Sequence, residues 1–227
     1  MKIQLVVFDL AGTTVKDNKD VHRMLQAALE ESGVAISIDE ANAVMGIPKP
    51  VAIEKLLRLR KCANLSSPTI QKIHDRFVTK MIDFYKSDPA VSETVGVTDT
   101  WKRLKARGIK IAVDTGFDRA ITAPLLERLG WNISGLLDAS VTSDEVSHGR
   151  PSPDLILKAM KLTGVTDARQ VAKVGDTAAD LQEGTAAGCG LVIGIISGAY
   201  PASALAREPH THLISTIPQL LPVLGIS

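Results

Sequence analysis

Four polar clusters interrupt an otherwise apolar alternation along the chain: Asp9-Leu10-Ala11-Gly12-Thr13-Thr14, Asp114-Thr115-Gly116, Gly149-Arg150-Pro151 and Gly175-Asp176-Thr177-Ala178-Ala179-Asp180. Together they supply a carboxylate nucleophile, a hydroxyl beside a backbone N–H, a cation and a second carboxylate pair. That set suits displacement at phosphorus. Asp9 can attack in line and form an acyl phosphate, which splits one hard step into two easier ones. Asp9 and Asp176 repel each other, and a hard cation between them removes the conflict. Mg²⁺ is the expected ion, held by Asp9, Asp176 and the backbone carbonyl of Ala11, with Asp180 one layer further out. Thr115, the Gly116 N–H and Arg150 then hold the remaining phosphoryl oxygens. The turn at Gly12 and Thr13 lets the main chain approach the same group closely. Each cluster alone also has an ordinary reading. Asp9 can cap a turn, Thr115 can cap a helix, Arg150 can be a surface cation, and Asp180 can complement a helix N-terminus.

The elements that must carry these residues follow from hydrophobic period. Ile3–Phe8 is apolar and β-branched and ends in a turn, so it reads as a buried parallel strand with Asp9 at its carboxyl end. Residues 16–85 are helical in period, with Val21-Met24-Leu25-Ala28-Leu29 and Ile70-Ile73-Phe77-Met81 as apolar stripes. After Asp88-Pro89 strands and helices alternate: helix 98–107, strand 109–113, helix 119–129, strand 138–141, helix 153–162, strand 171–174, helix 178–187, strand 190–195, a short helix after Pro201, strand 212–214 and helix 217–224. Such alternation indicates βαβ units. The expected fold is α/β, a Rossmann-like doubly wound parallel sheet core with an inserted all-helical cap. Residues 1–15 and 89–227 form the core and 16–88 the cap, because about 70 residues far exceeds an ordinary connection. A cap so placed lies beside the strand ends where open sheets bind ligands.

The chain has 227 residues, 45% of them hydrophobic and 22% charged, with a formal net charge of +1. That size suits one α/β domain with an insert. The scattered Lys and Arg give no electrostatic footprint for nucleic acid or a membrane surface. Cys62 and Cys189 lie far apart without metal-ligand spacing, which fits two buried thiols in a reducing, cytoplasmic setting. Ile3–Phe8 is too short to cross a membrane. His22 and His148 lie near the proposed loops and are read as structural or solvated, since lone histidines usually are.

Asp9 through Thr13, Thr115-Gly116, Arg150, and Gly175-Asp176-Thr177 with Asp180 resemble the four motifs of the haloacid dehalogenase superfamily, spread over nearly the whole chain. The resemblance implies an Asp nucleophile, Mg²⁺ and a capped Rossmann-like core. Ala11 departs from the pattern. Phosphatases of the superfamily place a second Asp two residues after the nucleophile, as the acid that protonates the leaving oxygen. A methyl group delivers no proton, and loss of such an acid costs on the order of 10²–10⁴ in rate.

Within the helical block, Met45-Gly46-Ile47-Pro48-Lys49, taken with the Asp-x-Ala-Gly-Thr-Thr run, resembles the phosphonatase branch of the superfamily, whose Met-Gly-x-x-Lys supplies a Schiff-base lysine. The resemblance implies that Lys49 condenses with an aldehyde two carbons from phosphorus, as in phosphonoacetaldehyde or a related aldehyde phosphonate. The protonated imine then accepts electrons as Asp9 breaks the carbon–phosphorus bond. Met45 and Gly46 would line that pocket. Such a lysine needs a neutral fraction near pH 7, which desolvation promotes. The alternatives are a phosphatase acting on a small phosphate ester without Lys49, and a silent binder of a phosphorylated metabolite. The branch's cap histidine is replaced by Ala52 and its cysteine at the start of the cap by Lys19, while Pro48 and Pro50 flank Lys49. The expected partner is a small phosphonate or phosphate. A homodimer through cap helices is compatible with the resemblance, although no heptad pattern marks one.

Overall fold

A computed structural model describes residues 2–226. Its strands β1 (Leu5–Phe8), β2 (Lys110–Thr115), β3 (Ala139–Thr142), β4 (Val171–Gly175), β5 (Leu191–Ile195) and β6 (His212–Ile214) form one sheet in the order β3-β2-β1-β4-β5-β6, parallel throughout. All four residues of β1 are buried, as a central strand covered on both faces requires. Their side chains alternate between two cores. Leu5 and Val7 face Leu155, Ile156 and Ala159 of α7 (Asp154–Thr163), whereas Val6 and Phe8 belong to the core that holds Trp101 and Leu104 of α5 (Val97–Ala106). The chain winds outward from β1 to β3, then returns to β4 on the other side. The order therefore reverses between β1 and β4, which is where open α/β sheets bind ligands.

The helical block between β1 and β2 comprises α1 (Asp20–Glu30), α2 (Ile38–Asn42), α3 (Lys49–Leu59) and α4 (Ser67–Ser87). Ser37 and Glu40 form a capping box at α2, with Glu40 N–H donating to Ser37 Oγ at 3.1 Å. Pro50 occupies the first turn of α3, where its missing N–H costs nothing. In α4 the buried residues Ile73, Phe77, Met81 and Tyr85 recur every fourth position and form one apolar stripe. That helix packs on α1 and α3 and also on α6 (Arg119–Arg128), so the block is seated on the strand-bearing part by a shared core.

Some boundaries differ from the sequence reading. Strand β3 starts after Asp138, because the Asp138 carboxylate accepts the Ile111 N–H at 2.7 Å and pairs with Lys105. The expected helix 217–224 is a 3₁₀ turn (Ile217–Gln219) followed by α10 (Leu220–Val223), in a stretch containing Pro218 and Pro222. Helices α8 (Ala178–Ala186) and α9 (Ala202–Leu205) complete the α-helices among the described residues. Both cysteines are free thiols, half-buried instead of fully buried. No helix among the described residues is long and apolar enough to cross a membrane.

Candidate active site

Asp9 follows β1, Thr115 ends β2 and Asp176 follows β4, so three neighbouring strands deliver their chemistry to one edge. Asp9 N–H donates to Val174 O at 2.9 Å, which ties its backbone to β4. The chain then turns sharply, with Thr14 Oγ1 donating to Asp9 O at 2.8 Å. Gly12 sits at φ +94°, and a Cβ there would lie 2.3 Å from Asp176 Oδ2, so both conformation and space demand glycine. Thr13 Oγ1 donates to Asp176 Oδ1 at 2.9 Å, and Ala199 N–H donates to Asp176 Oδ2 at 2.6 Å. Gly12 and Thr13, expected against substrate, thus bear first on the Asp176 carboxylate.

Arg150 is buried, and its guanidinium is engaged on every side. Nη1 lies 2.7 Å from Asp9 Oδ1 and 2.9 Å from Asp180 Oδ1, Nε donates to Glu183 Oε2 at 2.9 Å, and Nη2 donates to Asp114 O at 2.9 Å and to the Asp114 carboxylate. Its first effect is to orient Asp9 and offset buried negative charge, while it also borders the cavity described below. A second cation, Lys173, is fully buried on β4 and contacts Asp114, Asp180 and Glu183. Burial, followed by the nearby Asp114, pushes the Glu183 carboxyl up to about 8. Lys173 and Glu183 are not singled out by the sequence, and Asp114 stands in its strand-end cluster without a role. The available signal was a lysine inside the apolar strand Val171–Val174, where a buried charge must be paired.

Oxygens of Asp9, Asp176 and Asp180 lie within 4.8 Å of one another. Burial pushes the Asp9 carboxyl up to about 6, and it pushes Asp176 well above the usual carboxylate range with Asp9 and Asp180 adding to the effect. Burial works the same way on Asp180, but Arg150 and Lys173 outweigh it and hold that carboxyl low. The protein's own cations therefore satisfy Asp180, which also accepts the Thr177 hydroxyl at 2.6 Å, and leave Asp9 and Asp176 short of positive charge. A hard divalent cation fits that deficit, with Asp180 behind it.

Lys49 is the first residue of α3 and is only 3% exposed. Its Nζ stands 5.3 Å from the Phe117 ring centre and 5.9 Å from that of Phe77. Burial pushes its ammonium down to about 8, against the opposing pull of Asp9. One polar neighbour is in reach, the Ile47 carbonyl at 3.5 Å. Lys49 and Met45 share a small cavity of about 30 Å³ with Asp9, Ala11, Thr115 and Gly116. Thr115 Oγ1 accepts the Phe117 N–H at 3.2 Å, so its own proton remains available to an incoming oxygen.

The Met45–Lys49 segment is pressed onto the strand-end loops at three glycines. A Cβ on Gly46 (φ +83°) would lie 2.2 Å from Thr177 Oγ1, one on Gly116 would lie 2.9 Å from Ile47 O, and one on Gly149 would lie 2.3 Å from Pro48 Cγ. Main chain meets main chain at Gly116 and a glycine meets a side chain at the other two, and the seam fixes where α3, and hence Lys49, begins. Asp17 also borders the cavity, and His22, set aside in the sequence as structural, is buried beside it. His148, by contrast, is exposed and pairs with Asp154.

A family model described as haloacid dehalogenase-like hydrolase matches residues 6–193. The chain belongs to that family and is a hydrolase. It is 31% identical over 202 residues to a phosphonoacetaldehyde hydrolase of Latilactobacillus sakei, covering 86% of this chain and 76% of the relative. It is 33% identical over 223 residues to a phosphonoacetaldehyde hydrolase of Bacillus cereus, covering 92% and 81%. The fold matches a phosphonoacetaldehyde hydrolase like protein from Oleispira antarctica with a TM-score of 0.88 at 20% identity, over 99% of this chain and 92% of the other. A hydrolase from Pseudomonas syringae matches with a TM-score of 0.87 at 19% identity, over 99% of this chain and 100% of the other.

Proposed function

We propose that this hydrolase cleaves the carbon–phosphorus bond of phosphonoacetaldehyde or a related aldehyde phosphonate, with Asp9 as nucleophile and Lys49 as Schiff base, residues 16–88 acting as the cap. The observation that carries this reading is Lys49: a buried lysine, drawn toward neutrality, across one cavity from a carboxylate set for phosphoryl transfer. Neutral Lys49 Nζ adds to the aldehyde carbon, and loss of water leaves a protonated imine. Asp9 then attacks phosphorus in line. The carbon–phosphorus electron pair moves into the imine, giving an enamine and an aspartyl phosphate. Protonation at carbon and hydrolysis release the aldehyde and free Lys49, and water cleaves the aspartyl phosphate. The leaving group is carbon, stabilised by the imine, so Ala11 needs no acid side chain. Asp9, Asp176 and the Ala11 carbonyl would hold Mg²⁺, which when bound neutralises charge on the transferring phosphoryl group. Thr115 Oγ1, the Gly116 N–H and the edge of Arg150 would hold its remaining oxygens.

Phosphate release from phosphonoacetaldehyde and from a panel of small phosphate esters, each with and without Mg²⁺, tests this function. Mg²⁺-dependent turnover of the phosphonate, borohydride trapping of an adduct on Lys49, and loss of both in Lys49→Arg are expected. Full turnover by Lys49→Arg, or ester turnover with no phosphonate cleavage, would overturn it.

A further inference from the structure

Imine formation moves protons as well as electrons: a neutral amine, an aldehyde and one proton give an iminium and water. That proton must be handed to the carbinolamine hydroxyl and taken back at hydrolysis. Position 52, three residues beyond Lys49, is an alanine, so the turn that carries the lysine offers no acid there.

The cavity does contain a carboxylate that no step has yet used. Asp17 borders it together with Lys49, and its side chain is 8% exposed. Oδ1 accepts the Asp20 N–H at 2.6 Å and the Val21 N–H at 3.2 Å, which caps the start of α1. Oδ2 makes no such bond and stands 3.7 Å from Nδ1 of His22, whose side chain is 2% exposed. The other ring nitrogen of His22, Nε2, is 2.8 Å from Asn42 Oδ1 and carries the proton for that bond. Nδ1 is then the lone-pair nitrogen, buried and without a hydrogen-bond partner. A lone pair facing a carboxylate oxygen in a dry site is unfavourable unless one proton is shared between them. Burial pushes in the same direction at both groups, raising the Asp17 carboxyl and lowering the His22 imidazolium. The other titratable groups that face the pair are Lys19 and Asp20 at its own end of α1, Lys49 from α3 and Tyr85 from α4.

We propose that the Asp17–His22 pair is the proton-transfer group for the Lys49 imine, an inference that rests on the Schiff-base reading above. The pair holds one proton and gives it through Asp17 to the carbinolamine hydroxyl, which leaves as water while the nitrogen lone pair forms the C=N bond. At hydrolysis, water adds to the imine carbon, the C–N bond breaks, and the proton returns to the pair. Asp17 is the member that meets substrate, and His22 is a positioning residue that keeps the shared proton on it.

The test is the rate of the borohydride-trapped adduct at Lys49 in single-turnover mixing of the full chain with phosphonoacetaldehyde. Asp17→Asn keeps the shape and the α1 cap oxygen but cannot lend a proton, and it is expected to trap at least about 100-fold more slowly. His22→Gln is expected to trap more slowly by a smaller factor. Added formate is expected to restore part of the rate in Asp17→Ala, a rescue that a purely structural carboxylate would not show. Circular dichroism and competition by inorganic phosphate check that each variant folds and keeps its phosphoryl site. Trapping by Asp17→Asn at the unmodified rate overturns the proton-transfer role alone. Absence of any adduct in the unmodified protein overturns the Schiff-base reading, and this role with it. If Asp17→Asn does not fold, a His22→Gln rate equal to the unmodified one with no formate rescue of Asp17→Ala also overturns the role.

Discussion

Burying the Lys49 ammonium destabilises the fold, and Lys49→Met measures by how much. The side chain goes from its usual 10.5 to about 8 because burial disfavours the ammonium. At 1.36 kcal/mol per unit this amounts to about 3 kcal/mol against the protonated form. The Phe77 and Phe117 rings return about 1 kcal/mol through cation–π attraction, which Met replaces only with sulfur–aromatic contact. Lys49→Met is therefore expected to be more stable than the unmodified protein by about 2 kcal/mol at pH 7, a rise in Tm of roughly 4–8 °C for a chain of this length. The sign reverses nowhere, but the gap closes with pH. Below pH 8 both folded and unfolded lysine are protonated and the cost is felt in full. Between about 8 and 10.5 the unfolded state binds more protons than the folded one, so the unmodified protein gains stability as pH rises. Urea unfolding of both proteins in EDTA at pH 7 and pH 10 reads this directly. Lys49→Met no more stable at pH 7, or a gap that does not shrink by pH 10, would refute the reasoning.

Two further perturbations probe the metal and the seam. Mg²⁺ at 100 times its Kd is expected to raise the unfolding free energy by about 2.7 kcal/mol, seen as a shift in the urea midpoint, and Asp176→Asn is expected to abolish the shift. Gly46→Ala sets a methyl 2.2 Å from Thr177 Oγ1 at a φ of +83°, so the segment carrying Lys49 must move. A displacement near 1 Å costs about 100-fold in kcat, whereas inhibition by inorganic phosphate, which needs only the strand-end groups, is expected to stay within a factor of a few.

Much of the architecture is legible in the sequence because a parallel sheet demands long apolar runs with polar clusters after them. Asp9, Thr115 and Asp176 could be named before any coordinates, since each ends or follows such a run. Lys49 was found through its resemblance to a known motif; its burial was not, because the apolar walls come from Phe77 and Phe117, distant in sequence. The Lys173–Asp114–Glu183 cluster is partly visible in retrospect, as a lysine in an apolar strand and a glutamate three residues after Asp180 on one helix face. Asp17 and His22 carry no such mark. Asp17 reads as a turn residue before a helix and His22 as a lone histidine, and only the packing of α1 against α2 and α4 turns them toward the lysine.

Under the proposed Schiff-base mechanism, the glycine seam also bears on when Lys49 is a nucleophile. With the seam shut, a group titrating at about 8 is neutral in roughly one molecule in ten at pH 7. With the seam parted and water readmitted, the ordinary 10.5 leaves about one in 3,000 neutral. The cavity of about 30 Å³ has space for little more than a water or two. The enclosed amine is therefore neutral roughly 300 times as often as the solvated one. On the proposed mechanism, fidelity then rests on the fit of three loops around glycine: an aldehyde too large to let them meet leaves the lysine protonated and inert.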